Sequence, residues 1–178
     1  LTSTLALALV AALARSPETA ASREQARLCE KLTGEDSLAA CRRAIDLGLS
    51  PERLGSVRQI VARRLASLER WAELRDHFRV DVALRPLDAD VRLRLGSTLL
   101  FAMGEPAEAE AELAEAVRLE PGSAVARGLL GLALAARGRL KEAADEFDAA
   151  TSLDDHLLDH RPAMRAAIEA ARRGEAWP

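Results

Sequence analysis

Between residues 89 and 153 the chain carries the same passage twice. Leu95-Gly96 returns as Leu130-Gly131, Gly104 as Gly138, Ala109 as Ala143, Leu113 as Phe147, Ala116 as Ala150 and Leu119 as Leu153. The Leu-Gly step is 35 residues and every other step is 34. A period of that length, with small residues at fixed places, belongs to a helix-turn-helix unit that stacks on copies of itself. Neither helix of such a unit buries its apolar face alone, so the period demands an array. Gly96 and Gly131 are expected to let the two helices of a pair touch closely. Phe78, Leu113 and Phe147 are expected to fill the gap between successive pairs.

The period extends backward to about Gly55. Val61-Ala62 precedes Leu95-Gly96 by 34 residues, and Leu65 precedes Leu99 by the same step. Trp71, Leu74, Phe78, Leu84 and Pro86 fill the second helix of this unit and its stop. Leu84 and Pro86 precede Leu119 and Pro121 by 35 residues, so one extra residue lies between Leu99 and Gly104. It implies either a wider turn, the simpler cause, or a local π-bulge, a feature often found at functional places.

Leu130, Gly131, Leu134, Gly138, Ala143, Phe147 and Ala150, echoed by Leu95, Gly96, Leu99, Gly104, Ala109, Leu113, Ala116 and Pro121, resemble the tetratricopeptide repeat family. The resemblance covers residues 55–153, or three repeats. It departs from the family pattern at Ala62, which replaces the small Gly, at Asp81, where Ala is usual, and at Arg58, Arg92 and Arg127, which stand where an early Trp is frequent. The resemblance implies an all-α fold: a short α-solenoid of stacked antiparallel helix pairs, forming a superhelix with a C-terminal capping helix. It also implies a concave partner-binding surface lined by the first helix of each pair, here Gln59, Arg63, Leu93, Ser97, Leu100, Phe101, Gly128, Leu132 and Ala135. The Lys/Asn/Arg clamp that some members use to hold a C-terminal carboxylate is not matched, which disfavours a chaperone-tail receptor. Such an apolar, small-residue groove suits a helix or an extended apolar peptide; the chain's own residues 5–14 are an equal alternative occupant.

The chain of 178 residues divides into an apolar segment (1–16), a degenerate helical hairpin (17–50), the three repeats (51–153) and a cap with its tail (154–178). Ser16-Pro17-Glu18 and Ser50-Pro51-Glu52 both read as helix starts, with a capping Ser, a Pro suited to the first turn and a dipole-matched Glu. The first helix is expected to run to about Leu32 and stop at Thr33-Gly34. A short helix over 37–47 follows and ends at Gly48. Beyond Leu153, Asp154-Asp155 replaces the Pro the repeat requires. Pro162 then opens a last helix to about Arg173, stopped by Gly174, with Met164, Ala167, Ile168 and Ala171 on its packed side and Arg165, Arg172 and Arg173 outward. Trp177 is expected to dock back on that helix.

Residues 5–14 (LALALVAALA) lack any polar face. They fit the apolar part of an export signal ending in a small-x-small site, the end of a membrane anchor, or a fully buried first helix. The missing initiator Met and basic leader lead us to expect that the natural chain begins further upstream. Cys29 and Cys41 flank the Gly34 turn on neighbouring helices. In an exported chain this pair reads as a disulfide, and otherwise as two buried thiols.

The net charge of −3 argues against a general nucleic-acid binder. Arg far outnumbers Lys, which occurs only at Lys31 and Lys141. Arg forks carboxylates better than Lys does, although a GC-rich genome writes Arg by default. No phosphate loop, nucleophile elbow, HExxH or four-Cys pattern is present, so no catalytic residue, cofactor or metal ligand is assigned. The carboxylates from Glu105 to Glu120 are expected to form a solvated face. His156 and His160, with Asp155 and Asp159 nearby, are the sole basis for a metal-binding or enzymatic alternative. The expectation is a non-catalytic scaffold for a protein or peptide partner. Its setting is a bacterial envelope complex, periplasmic or membrane-associated through the N-terminal segment, with a cytoplasmic adaptor as the alternative.

Overall fold

The computed structural model describes residues 18–157, 159 and 162–175, with the side chains of 163, 171 and 172 excepted. Within that span there are only helices and turns: α1 (Ala20–Lys31), α2 (Gly34–Asp46), α3 (Pro51–Ser67), α4 (Trp71–Leu84), α5 (Ala89–Thr98), a π turn (Leu99–Met103), α6 (Pro106–Leu119), α7 (Ala124–Ala136), α8 (Leu140–Leu153) and α9 (Pro162–Arg172). The chain is an all-α stack of adjacent helix pairs of the α-solenoid class. It divides into two compact units, Leu1–Leu74 and Arg75–Pro178, the division falling inside α4.

In the first unit, α1 lies against α2, and both lie against α3. Thr19 caps α1 through a reciprocal arrangement: its hydroxyl accepts from the Ser22 N–H at 3.0 Å, and the Thr19 N–H donates to Ser22 Oγ at 2.9 Å. The described part of the helix thus starts at Ala20; Ser16 and Pro17, expected to open it, lie outside the described residues. The second helix begins at Gly34, earlier than the expected Ser37, which leaves only Leu32 and Thr33 between α1 and α2. Cys29 and Cys41 are fully buried and joined by a disulfide, their Cα atoms 4.7 Å apart. Ser37 sits over the bridge. Its hydroxyl donates to the Cys29 carbonyl at 2.7 Å and accepts from Arg64 Nε at 3.1 Å, while Arg64 Nη2 donates to the Leu32 carbonyl at 2.9 Å. One arginine of α3 thereby satisfies the polar groups left by the tight α1–α2 turn. Pro51 stands in the first turn of α3 behind the Ser50 cap, as its sequence requires.

The second unit repeats one construction. α5 packs on α6, α6 on α7 and α7 on α8, and α9 covers α7 and α8. A Cβ placed on Gly96 would stand 2.6 Å from Leu113 Cγ, and one on Gly131 would stand 2.5 Å from Phe147 Cε1. Leu113 and Phe147 are fully buried, as are the small Ala109, Ala116, Ala143 and Ala150 beside them on α6 and α8. Leu113 and Phe147 thus face the glycine of their own pair, rather than only filling the gap between successive pairs. The reason is steric: a bulky side chain on the second helix needs a hydrogen opposite it if the axes are to approach.

Arginines take the place of the aromatic side chain usual early in the first helix. Arg92 Nε donates to the Pro86 carbonyl at 3.1 Å and its Nη1 to Glu112 at 2.8 Å. Arg127 repeats this on the Pro121 carbonyl at 3.1 Å and Glu146 at 3.0 Å. Each guanidinium ties the entry turn of its pair to the second helix. The carboxylates of α6 are correspondingly not a plain solvated face. Glu108 pairs with Arg79, Glu112 with Arg92 and Glu115 with Arg118, and Glu110 accepts from both Arg137 and Arg139.

In α9, Met164, Ala167, Ile168 and Ala170 are buried and Arg165 is exposed; Arg173, also exposed, and Gly174, at φ +70°, follow the helix. Residues 1–17, His160, Trp177 and the side chains of Ala171 and Arg172 lie outside the described set. So do the expected roles of residues 5–14 and of Trp177.

Candidate partner-binding site

The second and third repeats, through α5 with its π turn and through α7, carry seven of the nine residues expected to meet a partner, and they fall into two groups. On α5 and the π turn, Leu93 and Ser97 are half-buried, Leu100 is buried and Phe101 is 56% exposed. Ser97 Oγ is committed to its own helix, donating to the Arg94 carbonyl at 3.0 Å. On α7, Gly128, Leu132 and Ala135 are all buried. A Cβ at Gly128 would stand 2.7 Å from both Cε and Sδ of Met164, so this position receives α9. The third repeat therefore spends its glycine on packing, while the second keeps its face accessible. Gln59 and Arg63, on α3 of the first unit, are exposed.

The extra residue of the second repeat is the π turn itself. The Leu99 carbonyl accepts from the Gly104 N–H and from the Glu105 N–H, the latter at 2.9 Å. Gly104 adopts φ +65°, a left-handed conformation that costs glycine little. Leu99, Leu100 and Phe101 lie buried, buried and exposed, and Leu134, Ala135 and Ala136 repeat that order. The insertion therefore falls after Phe101 and leaves the inward and outward sides in register. Among the described residues Phe101 is the one aromatic in the set of exposed large apolar residues, which otherwise are Leu47, Val80, Leu87 and Leu153.

A cavity of about 220 Å³ opens beside Leu93, between the start of α5, the end of α6 and the start of α7. Ala116 and Ala126 are its buried members, Leu93 and Val125 are half-buried, and Asp90 and Glu120 are exposed at its edge. This cavity was not foreseen, because it joins residues from three helices whose separation in sequence carries no shared signal.

His156 is exposed, with Nδ1 3.0 Å from Asp159. Among the described residues no group of three or more metal-ligating side chains converges. No described helix is long and apolar enough to cross a membrane.

A tetratricopeptide repeat family model matches residues 100–168. No curated protein matches the chain in sequence. Among solved structures, YrrB, described as a tetratricopeptide-repeat protein with an unusual peptide-binding site, is similar at 25% identity and a TM-score of 0.60, over 79% of this chain and 71% of that one. MamA from Desulfovibrio magneticus RS-1 is similar at 21% identity and a TM-score of 0.69, over 89% and 93%. TTC0263, a thermophilic repeat protein of Thermus thermophilus, is similar at 19% identity and a TM-score of 0.57, over 86% and 82%. Repeat period, the packing of glycine against a bulky side chain, family model and structural likeness agree: residues 100–168 match the tetratricopeptide-repeat family, and the chain shares the fold of solved tetratricopeptide-repeat proteins.

Proposed function

We propose that the chain is a non-catalytic scaffold that holds a protein or peptide partner on the first-helix face of its second repeat, within a bacterial envelope complex. The observation that carries this reading is Phe101, an aromatic ring left 56% exposed beside Leu93 and Ser97. Exposed aromatic anchors next to small and apolar side chains are what a binding surface needs. The repeat fold supports the scaffold role, and the peptide-binding site ascribed to YrrB lends it weight by analogy alone. Gln59 and Arg63, exposed on α3 of the first unit, are offered as polar partner contacts of that unit by itself. The Cys29–Cys41 disulfide supports an oxidising compartment, since such bonds are rare in reducing ones. Residues 5–14 would supply export or attachment.

Affinity capture from the native membrane fraction tests the reading. The wild-type chain is expected to retain a defined partner that Phe101→Ala loses. Retention of the same partner by both, or of none by either, would sink it. Alkylation of intact cells tests the compartment: both cysteines are expected to be protected until reduction.

A further inference from the structure

We infer that the cavity at the start of α5 takes a basic side chain, lysine or arginine, from the partner's bound segment. The inference rests on the scaffold reading and names one feature the partner must have. The cavity's members run from buried Ala116 and Ala126, through half-buried Leu93 and Val125, to exposed Asp90 and Glu120. That gradient, apolar below and anionic at the rim, matches a side chain with a hydrocarbon stem and a charged end. A volume of about 220 Å³ gives such a stem room.

Charge is what singles out the occupant. From Glu108 to Glu115 every glutamate of α6 is paired with an arginine of this chain. Among the described residues the carboxylate of Glu120 has no such partner. It also stands at the C-cap of α6, where the helix dipole is negative and a carboxylate is disfavoured. Asp90, across the cavity, gives one oxygen to Arg94 Nε at 2.7 Å and keeps the other.

Corresponding places at the other repeat junctions lack this arrangement. Asp154, one period after Glu120, has its carboxylate engaged by the His156 N–H at 3.0 Å. Arg85, one period before it, is itself basic and pairs with Asp88 at 2.8 Å. Of these three junctions, among the described residues, the second joins an apolar floor to an uncommitted acid, and a cation arriving from outside completes the pairing that the rest of the helix makes internally.

The test is selection of displayed random heptapeptides on the oxidised full chain and, in parallel, on its Glu120→Gln and Phe101→Ala variants. Both side chains are exposed, and unchanged melting curves verify that the variants fold. Peptides selected on the wild type are expected to share a lysine or arginine at one position. A synthetic peptide of that sequence is expected to lose about tenfold in affinity against Glu120→Gln, and similarly when its basic residue becomes norleucine, which keeps the stem and removes the charge. Selected peptides that lack a basic preference, or bind Glu120→Gln as well as wild type while losing Phe101→Ala, would overturn this inference and leave the scaffold reading standing. Failure to enrich any peptide would overturn both.

Discussion

Arg127 holds Glu146 at 3.0 Å while its Nε bonds the Pro121 carbonyl at 3.1 Å, so one guanidinium joins the turn before α7 to α8. Arg92 does the same one repeat earlier, with Glu112 and Pro86. This is how the chain dispenses with the bulky aromatic expected at these positions. A planar fork with several donors serves two acceptors in different directions, which an ammonium on a flexible stem does less well. Arg127→Ala is expected to cost about 1–2 kcal/mol, since the side chain is three-quarters buried but its edge is screened. Arg127→Lys should recover less than half of that. Urea denaturation of both, together with Glu146→Gln and the double variant, measures the coupling.

Gly131 and Gly128 occupy the same helix yet should respond oppositely to alanine. At Gly131 the new methyl meets the ring of fully buried Phe147 at 2.5 Å, and a ring packed on all sides cannot step aside. Gly131→Ala is expected to destabilise by about 1–3 kcal/mol, and Gly131→Leu by more, through overpacking. Shortening the ring in Gly131→Ala/Phe147→Leu should restore part of the loss. At Gly128 the methyl meets the flexible end of Met164, which can rotate away, while alanine gains about 1 kcal/mol of helix propensity. Thermal melts of the two single variants should therefore shift in different directions or by clearly different amounts.

The Cys29–Cys41 bond closes a loop with a sequence separation of 12 residues. Loop entropy of that size is worth about 3 kcal/mol at room temperature. Cys29→Ser/Cys41→Ser is expected to lower the protection of backbone amides in α1 and α2 by a comparable amount. Hydrogen exchange followed residue by residue would show it. Equal loss across both units would mean that the bridge does not act locally.

Glu73 carries the clearest pH signature. The Arg70 hydrogen bond, and after it that of Arg42, hold its carboxyl below the usual carboxylate range, each at 2.5 Å. A depressed folded-state value means that the unfolded chain takes up the proton first. The stabilisation is therefore complete above the ordinary carboxylate value, near pH 4.3, and disappears as pH falls through the lowered one. Glu73→Gln is expected to lower the neutral plateau of the stability–pH curve, to converge with wild type once pH falls through the lowered value, and so to flatten the acid side, measured by denaturant midpoints between pH 3 and 7 on the order of one unit apart. A curve identical to wild type would mean that solvent screens the pair.

Much of this arrangement was legible in the residues alone. The 34-residue period, the small residues at 96 and 131 and the bulky ones at 113 and 147 specify paired helices, because only one packing satisfies them all. The 35-residue steps set against the 34-residue ones place the irregularity between Leu99 and Gly104. Its form, a π turn closed by two N–H groups on one carbonyl, depends on hydrogen bonds that a spacing cannot specify.

The candidate site divides along the same line. Which residues lie on first helices follows from counting: Leu93 lies on α5 and Gly128 on α7, while Phe101 falls in the π turn that follows α5. Whether each remains accessible is set by what arrives from elsewhere. Met164, 36 residues beyond Gly128, occupies the space at that glycine, and nothing near Gly128 announces it. The arginine ties were hidden for the same reason: Arg92 and Glu112 are read locally as two solvated charges, and only the approach of their helices makes them a pair. Periodicity fixes which faces must be buried, since burial of apolar area is a local demand repeated along the chain. Tertiary packing alone decides which of the remaining groups find partners, because that depends on distances between segments the sequence leaves far apart.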